Sequence, residues 1–182
     1  MIHSIALLSN IPVIDKYITV RISKLKHVEK YTRQFSMAII YFNIGFNIYL
    51  WGYIPSNILY LRYCIELLLV NVMLKYLLDR PRPKHSLLTT GKYYPIYKIR
   101  ITKNWRKKQS FPSGHVTTVY CTYYLLNMLD FPAWTWIYFF LLFLTIFARI
   151  NTGAHHFSDC IWAILICQYA FKYLMPMTIY VE

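Results

Sequence analysis

The sequence predicts an all-α fold, a polytopic bundle of about five transmembrane helices with an amphipathic interfacial helix at the N-terminus. Of its 182 residues, 57% are hydrophobic and 19% aromatic, which is unusually apolar for a soluble domain of this size. Several apolar runs approach the roughly 20 residues that cross a bilayer core. Prolines and charged residues separate these runs. We therefore expect one membrane-embedded domain over residues 1–182.

The charge balance points to an anionic partner. The chain has 20 Lys and Arg residues but only seven Asp and Glu residues, which gives a formal net charge of +13. The charges lie beside predicted spans and no nucleic-acid motif accompanies them, so an anionic membrane surface or substrate is expected, and no nucleic acid. Four cysteines lie in predicted spans without zinc-type spacing and are interpreted as small core residues: Cys64, Cys121, Cys160 and Cys167.

Residues 1–35 are predicted to lie on the membrane surface. Apolar and charged side chains alternate there in a basic amphipathic pattern. The apolar members include Ile11, Val13, Ile14, Tyr17, Ile18 and Val20, and the charged ones Asp15, Lys16, Arg21, Lys24 and Lys26.

The first two spans are predicted at about residues 36–54 and 57–79. Asn43 and Asn47 share one face of the first span, which we expect to face other helices. In the second span, Arg62 and Glu66 are four residues apart and are interpreted as a structural ion pair.

Two prolines, Pro81 and Pro83, end the second span, and a basic loop without acidic residues follows over 84–111. The third span is predicted from Ser113 to near Asp130, the fourth over about 133–149 and the fifth over about 155–175. With consecutive spans, the polar clusters at 75–83, 112–115 and 149–159 must lie at one membrane face. The chain thus predicts one polar site there.

The sequence Pro112-Ser113-Gly114-His115 marks the start of the third span. Pro112 tolerates a helix edge and Ser113 is a favoured N-cap residue. A helix N-terminus offers unpaired N–H groups and the positive end of the dipole, which attract an anion. His115 in the first turn would be able to pass such an anion a proton.

Together the three clusters resemble the signature of the type-2 phosphatidic acid phosphatase superfamily. The family pattern is Lys, six residues, Arg-Pro; then Pro-Ser-Gly-His; then Ser-Arg, five residues, His, three residues, Asp. This chain carries Lys75 with Arg82-Pro83, the complete 112–115 motif, and Arg149 with His155 and Asp159 at the same spacing. The resemblance covers about residues 75–160. One departure is Ala148, which stands where the family usually has Ser.

The resemblance implies a metal-independent phosphatase without a cofactor. His155 would be the nucleophile that forms a phospho-histidine, and His115 the general acid and then the base. Asp159, four residues after His155, would face it on a helix and hold its ring N–H. The phosphate-binding residues would be Lys75, Arg82, Ser113, Gly114 and Arg149. A metal site is disfavoured because Lys and Arg dominate the pocket. His156 is interpreted as a bystander or a headgroup contact.

The expected substrate is a membrane lipid phosphate or pyrophosphate, and which lipid stays open, as does the oligomeric state. A lipid phosphotransferase using the same phospho-histidine, a vanadate-dependent haloperoxidase and a non-catalytic lipid-binding protein are the alternatives. The excess of Lys and Arg on the site's side favours a cytoplasmic site by the positive-inside rule, whereas the resemblance favours an extracytoplasmic or luminal one.

Overall fold

The structure is a computed structural model that describes residues 2–52, 74, 78–95, 100–101 and 109–174. Lys75 lies outside the described residues. So do Arg62 and Glu66, together with most of the second predicted span. Every structural statement below concerns the described part of the chain.

The described residues are predominantly helical, which confirms the all-α prediction. The helices are α1 (Ile2–Ser23), α2 (Lys26–Trp51), α3 (Leu87–Thr90), α4 (Gly114–Met128), α5 (Pro132–Asn151) and α6 (Phe157–Leu174), with a 3₁₀ turn at Pro83–His85. Two short strands, β1 (Leu78–Asp79) and β2 (Arg100–Ile101), pair antiparallel with Leu78 opposite Ile101. This ladder ties the segment before Arg80 to the basic loop.

Helix α4 lies at the centre of the bundle and packs against α2, α5 and α6. Val116, Val119 and Leu126 on α4 are fully buried in the apolar core. The Nδ2 atom of Asn47 on α2 donates to Thr122 Oγ1 on α4 at 3.0 Å. The predicted inward face of α2 is thereby confirmed.

The outer surface of the bundle is rich in large apolar side chains. Exposed examples on α2, α5 and α6 are Tyr41, Ile44, Ile48, Trp136, Phe140, Phe143, Trp162, Leu165 and Tyr169. Contiguous apolar surface of this extent marks a membrane or partner contact in a folded protein.

Among the described residues, one helix is long and apolar enough to cross a membrane. This helix is α5, with a mean hydropathy of 1.7 in its most apolar window. Helix α4 has 15 residues, which at ~1.5 Å per residue falls short of a ~30 Å bilayer core. The number of five spans therefore stays a prediction.

The N-terminal region differs from the continuous surface-lying segment that the sequence predicted. It consists of α1 and the beginning of α2, and α1 packs against α5 and α6. Asp15, Thr19 and Ser23, spaced four residues apart, form a buried polar stripe on α1, whereas Val13 and Tyr17 are exposed. Asp15 and Thr19 face inward because they accept hydrogen bonds from backbone N–H groups at the start of α6.

Candidate active site

Segments far apart in the sequence meet at one end of the bundle. Pro81 forms a β-bridge with Gln109. The backbone N–H of Ser110 donates to the carbonyl of Arg80 at 2.8 Å, and that of Ser113 to the carbonyl of Asp159 at 3.3 Å. The described parts of all three sequence motifs therefore converge, as the span order predicted, while the first motif's Lys75 is outside the described residues.

Helix α4 begins as the sequence predicted, with one difference. Ser113 occupies the N-cap position, and Gly114 and His115 lie in the first turn. However, the buried hydroxyl of Ser113 makes no capping hydrogen bond in the described part of the chain. His115 is partly buried at the start of the helix. The motif thus places its histidine without the side-chain cap that was expected.

His155 lies in a turn and not on a helix. Helix α5 ends at Asn151 and α6 begins at Phe157. The backbone N–H of His155 donates to the carbonyl of Arg149 at 3.2 Å, which closes the turn. The prediction that His155 and Asp159 share a helix face is wrong, because His155 precedes the first turn of α6.

The ring of His155 is oriented by a backbone carbonyl. Its Nδ1 atom lies 2.5 Å from the carbonyl oxygen of Ser110 and 3.9 Å from Oδ2 of Asp159. A carbonyl only accepts, so Nδ1 carries the proton and the lone pair is on Nε2. Ser110, and not Asp159 as predicted, therefore holds the ring N–H and fixes the tautomer that a nucleophile needs.

Asp159 is engaged by other partners. Its carboxylate accepts from Arg80 Nη1 at 2.5 Å and from the backbone N–H of His156 at 2.8 Å. The Nδ1 atom of His156 lies 3.3 Å from the same carboxylate. His156 is fully buried, so its interpretation as a headgroup contact is wrong.

Five cationic or titratable side chains line a cleft of about 370 Å³ beside this turn, which we call the basic cleft. They come from α2, from the 3₁₀ turn and the residue before it, and from the end of α5. The lining residues are Arg33, Met37, Arg82, Lys84, His85, Arg149, Thr152, Gly153 and Ala154. Arg82 and Arg149 were predicted to bind phosphate, and Ala154 directly precedes His155.

The two inner arginines of the basic cleft differ in their hydrogen bonds: Arg82 donates from Nε to the Gln109 carbonyl at 3.3 Å, whereas Arg149 is only partly satisfied. Arg149 donates from Nη1 to Ser36 Oγ at a long 3.4 Å, and its buried Nε has no hydrogen-bond partner among the described residues. Burial lowers the pKa of the Arg82 guanidinium, and the carboxylate of Asp159 partly opposes this effect. A bound anion would supply the acceptor and the counter-charge that a buried, unpaired guanidinium donor lacks.

Gly153 allows the two walls of the basic cleft to approach each other. Its φ of +62° is a left-handed conformation, and its carbonyl accepts from the N–H of Lys84 at 2.9 Å. A Cβ atom at this position would lie 3.1 Å from both Lys84 Cβ and Leu88 Cδ1. Only glycine fits here without displacing the 3₁₀ turn.

The sequence analysis missed four residues of the site: Asp15, Arg33, Arg80 and Ser110. Arg80 has no exposed surface and lies between two carboxylates. Burial opposes its charge, but Asp159 and Asp15 outweigh burial and raise the pKa of Arg80. The sequence offers one sign of Arg80, the repeated Arg-Pro in Arg80-Pro81-Arg82-Pro83. The motif spacing uses only the second Arg-Pro pair, so Arg80 received no role.

Comparison with known protein families identifies the part of the chain that carries the motifs. The sequence model of the PAP2 superfamily matches residues 50–181, well over half of the chain. The match includes the described parts of all three motifs and leaves α1 outside. No curated protein and no solved structure matches the chain.

Proposed function

The chain belongs to the PAP2 superfamily, and from this premise we propose that it is an integral membrane phosphatase acting on a lipid phosphate or pyrophosphate. Membership by itself supports a phosphatase-type function. The main support for the finer proposal is the basic cleft. Its lining residue Ala154 directly precedes His155 in the chain. A fixed group of cations beside an oriented imidazole suits phosphoryl transfer.

In this proposal, the cleft neutralises the transferred phosphoryl group. Arg82 and Arg149 grip its oxygens through paired N–H donors, and Lys75 is expected to add a third cation. The backbone N–H of Gly114 is expected to supply a further donor, whereas that of Ser113 already donates to the Asp159 carbonyl. Because these groups are held before substrate arrives, they stabilise the charge that spreads over the equatorial oxygens in the transition state.

His155 performs the first displacement. Its Nε2 lone pair forms a bond to phosphorus, the bond between phosphorus and the leaving oxygen breaks, and His115 gives that oxygen its proton. Water then attacks the phospho-histidine, His115 takes a proton from it, and the P–N bond breaks to release phosphate. The hydrogen bond from Nδ1 to the Ser110 carbonyl supports this role, because it keeps the ring oriented in both steps.

The lipid assignment rests on the surface around the cleft. An apolar groove of about 510 Å³ is lined by Leu25, His27, Val28, Tyr31, Thr32, Phe35, Leu144, Phe147 and Ala148. It shares α2 and the end of α5 with the basic cleft. A lipid could place its phosphate in the cleft while its chain follows apolar surface. Family resemblance favours an extracytoplasmic or luminal cleft.

The test is phosphate release by detergent-purified protein from a panel of lipid phosphates and pyrophosphates, with EDTA present. We expect wild-type activity to survive EDTA, and His155→Ala to lower kcat by on the order of 10³-fold or more, because no other group can replace the nucleophile. His85→Ala, in the outer part of the cleft, serves as a matched histidine control with a smaller loss.

Two results would contradict the proposal. Activity that EDTA abolishes would argue against a metal-free reaction, and full activity in His155→Ala would remove the phospho-histidine. Phosphate transfer that requires an added acceptor lipid would indicate the phosphotransferase alternative.

A further inference from the structure

The N-terminal helix α1 is joined to the site by a buried ionic cluster, which consists of Asp15, Arg80 and Asp159. Arg80 Nη2 lies 3.0 Å from Asp15 Oδ2, and Arg80 Nη1 lies 2.5 Å from Asp159 Oδ1. All three side chains are at most 2% exposed. Helix α1 lies outside the residues that match the family, so family membership assigns no role to Asp15.

The cluster is fully hydrogen-bonded. Arg80 also donates from Nε to the Tyr94 carbonyl at 2.9 Å and from Nη1 to Ser158 Oγ at 2.9 Å. Asp15 Oδ2 accepts in addition from the hydroxyls of Tyr93 and Ser158. Removing one partner of a buried pair strands the other charge, so each member restrains its neighbours.

Helix α1 also caps the helix that carries Asp159. The first N–H groups of a helix have no partner within it. At the start of α6, Asp15 Oδ1 accepts from the N–H of Ser158 at 2.7 Å, and Thr19 Oγ1 from that of Phe157 at 3.1 Å. Asp159 reaches back to the N–H of His156, as the third residue of a capping box does.

We propose that α1 is a positioning element of the active site, in which Asp15, acting through Arg80 and Ser158, fixes the turn that carries His155. This inference rests on the proposed function, since it assigns the cluster to the alignment of the nucleophile. Asp15 is a positioning residue, because it touches neither His155 nor the basic cleft in any described contact.

The cluster has a second consequence, which is electrostatic. Two carboxylates and one guanidinium leave one net negative charge buried beside His155 and His156. When Nε2 binds phosphorus while Nδ1 keeps its proton, the ring becomes cationic, and a nearby buried anion stabilises it. Loss of the Asp15 charge would remove that net charge without touching any cation of the cleft.

Two inorganic anions separate positioning from phosphate binding without a lipid substrate. Inorganic phosphate needs only the cations of the basic cleft. Orthovanadate becomes five-coordinate when an imidazole nitrogen binds it axially, so its affinity also depends on the position of Nε2. We would measure the Kd of both ions, together with kcat and KM, for wild type and Asp15→Asn.

We expect Asp15→Asn to bind phosphate within about twofold of wild type, but to lose about 10- to 100-fold in vanadate affinity and in kcat, with KM little changed, because a misplaced nucleophile costs up to this much. Ser23→Ala is the matched control. Ser23 belongs to the same buried stripe, yet among the described residues its hydroxyl donates only to carbonyls of α1, so all values should stay at wild-type levels.

If Asp15→Asn does not fold, the same measurements are made on Tyr93→Phe. It removes one hydrogen bond to Asp15, and we expect vanadate affinity to fall about 3- to 10-fold. An unchanged vanadate affinity, or an equal loss for both ions, would overturn the positioning role alone. Wild-type protein that binds neither ion would overturn the proposed function, and the positioning role with it.

Discussion

At the scale of the residue, the site combines inner and outer cations. Arg82 and Arg149 are partly buried, whereas Arg33, Lys84 and His85 are exposed at the same cleft. Under the proposed function, the inner pair would hold a phosphomonoester. The second phosphoryl group of a pyrophosphate would extend outward, where Arg33 is available to meet it.

Arg33→Gln should therefore discriminate between substrates. We expect KM for a lipid pyrophosphate to rise about 3- to 10-fold, the loss of one charge-assisted hydrogen bond, while KM for the corresponding monophosphate changes less than about twofold. Lys30→Gln is the control, since Lys30 is exposed on the same helix but does not line the cleft. Equal changes for both substrates would exclude this role of Arg33.

Some features of single site residues could be predicted from the sequence and others could not. His115, Arg149, His155 and Asp159 follow from motif spacing. The tautomer of His155 does not, because its hydrogen-bond partner is the backbone carbonyl of Ser110, and every residue type carries a carbonyl. Asp159 was assigned to His155 by helix periodicity, which fails because α6 begins two residues after His155.

At the scale of the element, the turn between α5 and α6 sets the width of the basic cleft. Its Gly153 contacts the 3₁₀ turn through a backbone hydrogen bond to Lys84. The same turn carries Ala154 into the cleft wall and His155 toward Ser110. The geometry of one glycine thus links a wall of the basic cleft to the proposed nucleophile.

Gly153→Ala should damage both stability and activity. We expect a loss of about 1–3 kcal/mol from left-handed strain and the clash with Lys84, together with a fall of roughly 10-fold in kcat/KM because the cleft is displaced. Thermal unfolding and steady-state kinetics measure the two effects.

Gly91→Ala is the control for backbone strain. Gly91 has a φ of +69°, and no atom of the described residues lies within 4 Å of an added Cβ, so it shares the strain but lacks the clash. Equal kcat/KM values for the two variants would show that close approach at Gly153 does not shape the cleft.

At the scale of the whole molecule, large apolar side chains are exposed on the outside of a bundle whose core is apolar as well. The inward stripe of α1 is polar, and the outward faces of α2, α5 and α6 carry large apolar side chains. This arrangement is expected where lipid, and not water, surrounds the bundle. It supports membrane integration as part of the proposed function.

Fluorescence quenching tests this orientation. Trp136 on α5 is 64% exposed. In a variant that keeps only this tryptophan, reconstituted into vesicles, we expect lipids brominated on their acyl chains to quench its emission strongly and aqueous iodide to quench it weakly. Strong iodide quenching with no effect of bromolipids would contradict a lipid-facing α5.

By itself, the sequence determined the helical class, the start of α4 and the close meeting of distant motifs, and it selected the histidines and arginines that are candidates for the site. These follow from local properties, namely apolar run length, proline positions and fixed spacing, which can be read along the chain. Only the tertiary structure decided that Asp15 pairs with Arg80 and that α1 caps α6. Those contacts join residues 65 and 143 positions apart, and no local pattern records which distant charge a buried arginine will meet.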